Sequence, residues 1–250
     1  MRITIVLSFL SLFALLGSCN FALAQSATAQ SATASAEDLI KTVENPGAVD
    51  LGESLIHPAS PLYFLKAIRE RIEMILDSSQ EAKSMRQVEF AQRRLREVAT
   101  LVRIKRQDLI PPTIEQYKLH LKNADEFTKQ NEELKVRVGE AISRHLDSLQ
   151  RVYDMVGNPS TKAAIRSAIE RSEEQNIAVL KNLSIESQQK LIRKTAGRQA
   201  FACKFLMREA TSSGLNDSER ESLKQRVRDC TTNALLNLKD ELEEIRQKSP

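Results

Sequence analysis

The chain has 250 residues, a formal charge of +4, 4% aromatic residues and no tryptophan. Glycine and proline number 7 each, too few for the turn-rich, aromatic and β-branched pattern of a sandwich or barrel. The slight basic surplus is spread thinly over the chain and gives no reason to expect a nucleic-acid partner.

The N-terminus reads MRITIVLSFLSLFALLGSCNFALAQ, with Arg2 as a minimal charged start and an apolar run from Ile3 to Leu16. Ala22-Leu23-Ala24 supplies small residues at both positions of an A-x-A site, which predicts a signal peptide over 1–24 cleaved after Ala24. The run is shorter than the roughly 20 residues of a membrane span. Two alternatives stand beside cleavage. Leu16-Gly17-Ser18-Cys19 loosely resembles a lipobox, which would attach lipid to Cys19, and the leader would otherwise remain as an uncleaved anchor. Each places the body of the protein outside the cytoplasm, whether periplasmic, secreted or on the cell surface. QSATAQSATASA, over 25–36, has too little apolar surface to fold and reads as a flexible linker.

Over 37–57 a short helix, Glu37 to Asn45, gives way to an irregular stretch set by Pro46, Gly47, Gly52 and Pro58. Ser60 then has the character of an N-cap and Pro61 of a first helical residue. Leu65, Ile68, Ile72 and Ile75 follow at three- and four-residue steps and make one apolar face, with Arg69, Glu70, Arg71 and Glu73 on the remainder. Ser78 and Glu81 have capping-box spacing ahead of a stripe formed by Val88, Ala91, Leu95, Val98 and Val102. Ile110-Pro111-Pro112 ends that helix. Thr113 and Gln116 then cap a helix expected to run unbroken to Val156, longer than about 60 Å at 1.5 Å per residue. Its stripe is Ile114, Tyr117, Leu121, Ala124, Val138, Ile142, Leu149, Val152 and Val156, turning polar between Thr128 and Lys135. Asn158-Pro159 marks the next start, and helices are expected over Ser160 to Asn182, Ile185 to Thr211 and Asn216 to Gln247. The fold class is therefore all-α: antiparallel hairpins in an elongated bundle with one very long central helix, divided into a first helical domain over 58–157 and a C-terminal helical region over 158–250.

Ser60-Pro61-Leu62-Tyr63-Phe64-Leu65-Lys66, the arginine at Arg71, and Phe90-Ala91-Gln92-Arg93-Arg94-Leu95-Arg96-Glu97 resemble the bacterial domain-of-unknown-function family 5667. The resemblance covers about Pro58 to Tyr153 and continues through Pro159 to Ser172. It implies an exported or surface-associated helical domain and brings no catalytic or binding residue with it.

Candidate chemistry is sparse. His57, His120 and His145 show no H-x-x-x-H spacing, and no C-x-x-C is present, so no convergent metal-ligand set is expected. His145 lies in the apolar stripe and reads as a packed, hydrogen-bonded residue. The carboxylates sit on charge-mixed helix faces, and neither a nucleophile elbow nor a glycine-rich phosphate loop occurs. No enzyme activity, cofactor or small-molecule substrate is expected. From Ser187 to Arg208 the charged residues are all basic, among them Lys190, Arg193, Lys194 and Arg198. Such a face either meets an anionic surface as a peripheral membrane contact or is neutralised by the acidic helix that follows it; the second reading is the plainer one. Arg93, Arg94, Arg96, Arg103, Lys105 and Arg106 form a similar cluster, read as a solvated face. Cys203 and Cys230 fall on facing stripes of the last hairpin, and an even pair in an oxidising compartment predicts a disulfide. Counted from the turn, Cys230 lies about 6 Å farther out than Cys203, a difference the loop must absorb.

The function expected is that of an exported, non-enzymatic protein of the cell envelope, binding proteins or envelope polymers through helix faces. The alternative is a periplasmic chaperone-like or stress-sensing binder of unfolded clients. Leu183-Ser184-Ile185-Glu186-Ser187-Gln188 faintly resembles the L-T-x-x-Q motif of such proteins, with the glutamine one position late.

Overall fold

The structure is a computed structural model; it describes residues 40–41, 52–128, 131–212 and 214–248, with side chains as far as Asn233. The signal peptide, its cleavage after Ala24, the lipobox at Cys19 and the linker over 25–36 lie outside the described residues. So does all of the helix expected at Glu37 to Asn45 except Ile40 and Lys41, which are helical.

The fold is all-α. Its helices are α1 (Tyr63–Leu76), α2 (Gln80–Arg103), α3 (Ile110–Glu126), α4 (Glu132–Met155), α5 (Pro159–Lys181), α6 (Ile185–Ala210) and α7 (Asp217–Lys248), with a 3-10 turn at Gln107–Leu109 before α3. The single long helix expected from Thr113 to Val156 is two helices. Asn131 adopts extended backbone, and its side chain accepts the Leu134 amide at 2.9 Å, as an N-cap does. At the other end of the break, the Thr128 hydroxyl donates to the Asp125 carbonyl. The polar interval within the stripe is thus a helix end and a helix start.

Other boundaries also move. Ser60 does not cap α1: its hydroxyl accepts the Leu62 amide at 3.3 Å in a local turn, and the helix begins at Tyr63. Ser79, not Ser78, caps α2 through the Ala82 amide. Pro111 and Pro112 open α3 instead of terminating its predecessor, because neither needs an amide donor in a first turn. Asn158 caps α5 through the Thr161 amide at 3.1 Å with Pro159 at the first helical position, as its spacing predicts. Asn216 and Glu219 exchange side-chain bonds with each other's amides, a full capping box for α7.

The apolar stripes assemble one large cluster reaching from Ile40 through Val88, Leu95, Ile114, Tyr117, Ile142 and Leu149 to Cys203 and Cys230. The Ser84–Ala124 and Gln87–His120 hydrogen bonds run in opposite sense along α2 and α3, so that pair is antiparallel. Glu140–Lys194, Asp147–Arg198 and Asp154–Arg208 run in the same sense, so α4 and α6 lie parallel. Gly139 makes this approach possible: a Cβ there would stand 2.9 Å from a Leu191 methyl. Cys203 and Cys230 lie at disulfide distance, their Cα atoms 5.7 Å apart, and tie α6 to α7.

Candidate functional site

Helix α1 is turned the wrong way round for a globular protein. Leu65, Ile68, Ile72 and Ile75, the apolar face expected from their spacing, point to solvent together with Phe64 and Leu76, and these six side chains are 46–75% exposed. The face turned toward α2 carries Tyr63, Lys66, Glu70 and Glu73 instead. The cause lies on α2, which is buried nearly all round and meets α1 with Arg93, Arg94 and Glu97. A polar surface there calls for polar partners, since a charge buried without one costs several kcal/mol.

The seam between the two helices is closely bonded. The Glu97 carboxylate, fully buried, accepts from the Tyr63 hydroxyl at 3.1 Å and from the Lys66 ammonium, and forms an ion pair with Arg94 at 3.0 Å. Arg94 also donates to the Tyr63 oxygen at 2.7 Å and to Glu70 at 2.6 Å, and its guanidinium lies 5.8 Å from the centre of the Tyr63 ring. Farther along, Arg93 bridges Glu73 at 2.7 Å and Glu89 at 2.6 Å, while Arg86 reaches Asp77 at 3.0 Å. Two acids and two bases at the centre leave the seam formally neutral. Burial pushes the Tyr63 hydroxyl pKa up, reinforced by Glu97, and pushes the Lys66 ammonium down. Burial likewise raises Glu70 in spite of Arg94. Burial also works upward on Glu73, yet hydrogen bonds from Arg93 and Arg69 hold its carboxyl below the usual range.

Five of the residues on which the family resemblance rests meet in the seam: Tyr63 and Lys66 from the first stretch, Arg93, Arg94 and Glu97 from the second. Arg93 and Arg94, expected on a solvated basic face, lie inside it with side chains 11% and 6% exposed. Of the basic residues expected on α6, Lys194 pairs with Glu140 at 2.6 Å and Arg198 with Asp147 at 2.8 Å. Their partners are on α4 and not on the following helix. Lys190 and Arg193 are exposed. His145 is buried with its ring edge-on to Tyr117, and its Nδ1 has no partner. His120 pairs with Gln87 at 2.8 Å. Burial lowers the pKa of both imidazoles, His120 to about 4 and His145 to about 3.

One cluster was not legible in the spacing. Glu173 of α5 places a carboxylate oxygen within 4.8 Å of the sulfurs of Cys203 and Cys230, and all three residues are buried. Burial, with Glu174 beside it, raises the Glu173 carboxyl to about 8. Contact across three different helices leaves no trace in sequence order.

The arrangement defines a class: an all-α domain that encloses charge between its first two long helices and offers an apolar helix face outward. Residues 55–190 match the family described as Domain of unknown function (DUF5667), and the chain belongs to it. No curated protein and no solved structure matches. Among the described residues, no helix is long and apolar enough to cross a membrane.

Proposed function

We propose that this is an exported, non-enzymatic helical protein of the cell envelope that binds another protein through the outward face of α1. The observation that carries the reading is the solvent exposure of Phe64, Leu65, Ile68, Ile72, Ile75 and Leu76 on one side of a helix whose opposite side is fixed by the ionic seam. Burying such a side chain is worth about 1.5–3 kcal/mol relative to leaving it in water, so a contiguous row of six gains from a cover. An amphipathic helix laid along this row would meet side chains at the i, i+3, i+4, i+7 steps that helix recognition uses. The charged seam holds α1 in this orientation before the partner arrives, which lowers the ordering cost of binding. The leader supports export, and the envelope is the compartment it opens.

Photo-crosslinking from position 72 in intact cells tests the proposal. A discrete adduct to another protein, lost when Ile68 is replaced by glutamate, is the expected result. No adduct, or a diffuse smear unaffected by that substitution, would remove it. A row of exposed apolar groups equally suits transient capture of unfolded chains. Suppression of aggregation of a model client at low stoichiometry, abolished by Ile68→Glu, would favour this second reading.

A further inference from the structure

Glu173 presents a problem that the binding role of α1 does not solve. Its side chain is more than nine-tenths buried, and among the described residues it makes no hydrogen bond and no ion pair. The neighbouring Arg226 is engaged by Glu174 and Glu170 instead. A carboxyl so nearly enclosed, with solvent reaching it along the groove it lines, is costly to ionise. Glu173 faces the two sulfurs, and it also lines a groove of about 700 Å³ between α5 and α7. The cysteines themselves are 0% and 1% exposed and lie behind Glu173, which the groove reaches and they do not line.

We propose that in the reduced protein Cys203, Cys230 and Glu173 form a binding site for a thiophilic divalent cation of the zinc class, which disulfide formation abolishes. The donor set is chemically apt: two thiolates and one carboxylate are borderline-soft ligands, and a water entering from the groove would complete a tetrahedron. The ligand atoms already lie within 4.8 Å of one another. Metal–sulfur bonds of about 2.3 Å require sulfurs roughly 3.8 Å apart, which small rotations of two reduced side chains supply. Binding releases the protons of both thiols and of the carboxyl. The cation and three anionic ligands sum to −1, opposite in sign to the nearby Arg226 guanidinium. In the reverse direction a disulfide oxidant accepts two electrons from the paired thiolates and leaves as two thiolates. The Cys203–Cys230 bond forms, and the cation departs with Glu173 taking back a proton.

The test uses the purified full chain, reduced with a phosphine under anaerobic conditions and titrated with cobalt(II). The expected result is one equivalent bound, with thiolate-to-cobalt charge-transfer absorption and the visible bands of a tetrahedral ion. The disulfide form should show neither. Glu173→Gln should weaken binding at least as much as the roughly 10- to 100-fold that loss of a mere outer-shell partner costs. Glu174→Gln, one residue along on the same groove, should bind as the wild type does. Circular dichroism guards against unfolding: if reduction lowers the helix content, zinc must restore it. The proposal is overturned by a reduced wild type without thiolate–cobalt absorption, by undiminished affinity in Glu173→Gln, or by helix content that zinc fails to restore.

Discussion

Glu97 is the residue on which the α1–α2 seam converges, since it accepts from Tyr63 and Lys66 and is ion-paired with Arg94 while fully buried. Replacing it by alanine would leave the Lys66 ammonium and the Arg94 guanidinium sharing Glu70 as the one acid at the centre of the seam. Removing one partner of a buried ionic group costs about 3–5 kcal/mol, whereas apolar replacement of the whole group is close to neutral. Glu97→Ala is therefore expected to lower unfolding stability by that amount in urea titrations, while Lys66→Glu is expected to be worse, because it sets three carboxylates together. The histidines give a second prediction. Both folded-state pKa values lie below the ordinary 6.5, near 4 for His120 and near 3 for His145. The stability these groups contribute is then present above pH 6.5 and lost as pH falls, because the unfolded chain takes up protons that the folded one refuses. Unfolding free energy should decline between pH 6.5 and 4 by up to about 1.4 kcal/mol per pH unit for each histidine. Replacing His120 by glutamine should flatten part of that limb, and an unchanged limb would show that His120 does not contribute to it.

At the scale of elements, some helix ends are marked in the sequence and others are not, for physical reasons. Asn158-Pro159 places a capping acceptor and a preset φ side by side, and the chain does start a helix there. Asn131 carries the same capping chemistry without a proline, and its neighbours have good helix propensity. The break it makes was therefore legible only as a polar gap in a stripe. Ile110-Pro111-Pro112 suggests an end because prolines stop helices from inside; they also begin them, as here. Helix α2 ends in a Schellman motif, in which Arg106 donates to the Leu101 carbonyl at 2.9 Å and Lys105 to Val102 at 3.1 Å. Lys105 takes φ of 61° there, the left-handed region that a Cβ disfavours by about 1–2 kcal/mol. Lys105→Gly is accordingly expected to raise the melting temperature, with a gain of up to about 1 kcal/mol once the added freedom of the unfolded glycine is set against it. Loss of stability would mean that the lysine side chain contributes more than its backbone costs.

For the molecule as a whole, the stripes through Val88, Leu95, Ile114, Tyr117, Ile142 and Leu149 were legible because the core of an all-α protein is written at a fixed period. The pairing of Cys203 with Cys230 was legible for the same reason. The orientation of α1 was not, because periodicity shows that a helix has two faces and is silent on which of them meets a neighbour. That choice is made by α2, through Arg93, Arg94 and Glu97, and the pair has to be considered together. Nor could Glu173 be singled out, since its significance depends on two residues far along the chain. Helix α1 lies with its charges inward and its isoleucines outward. Methyl-resolved NMR of the purified protein in the presence of a soluble paramagnetic agent measures this directly at dilute concentration. The methyl groups of Ile68, Ile72 and Ile75 should relax strongly while those of Ile114 and Ile142 stay protected. Protection of the α1 isoleucines equal to that of Ile142 would contradict it.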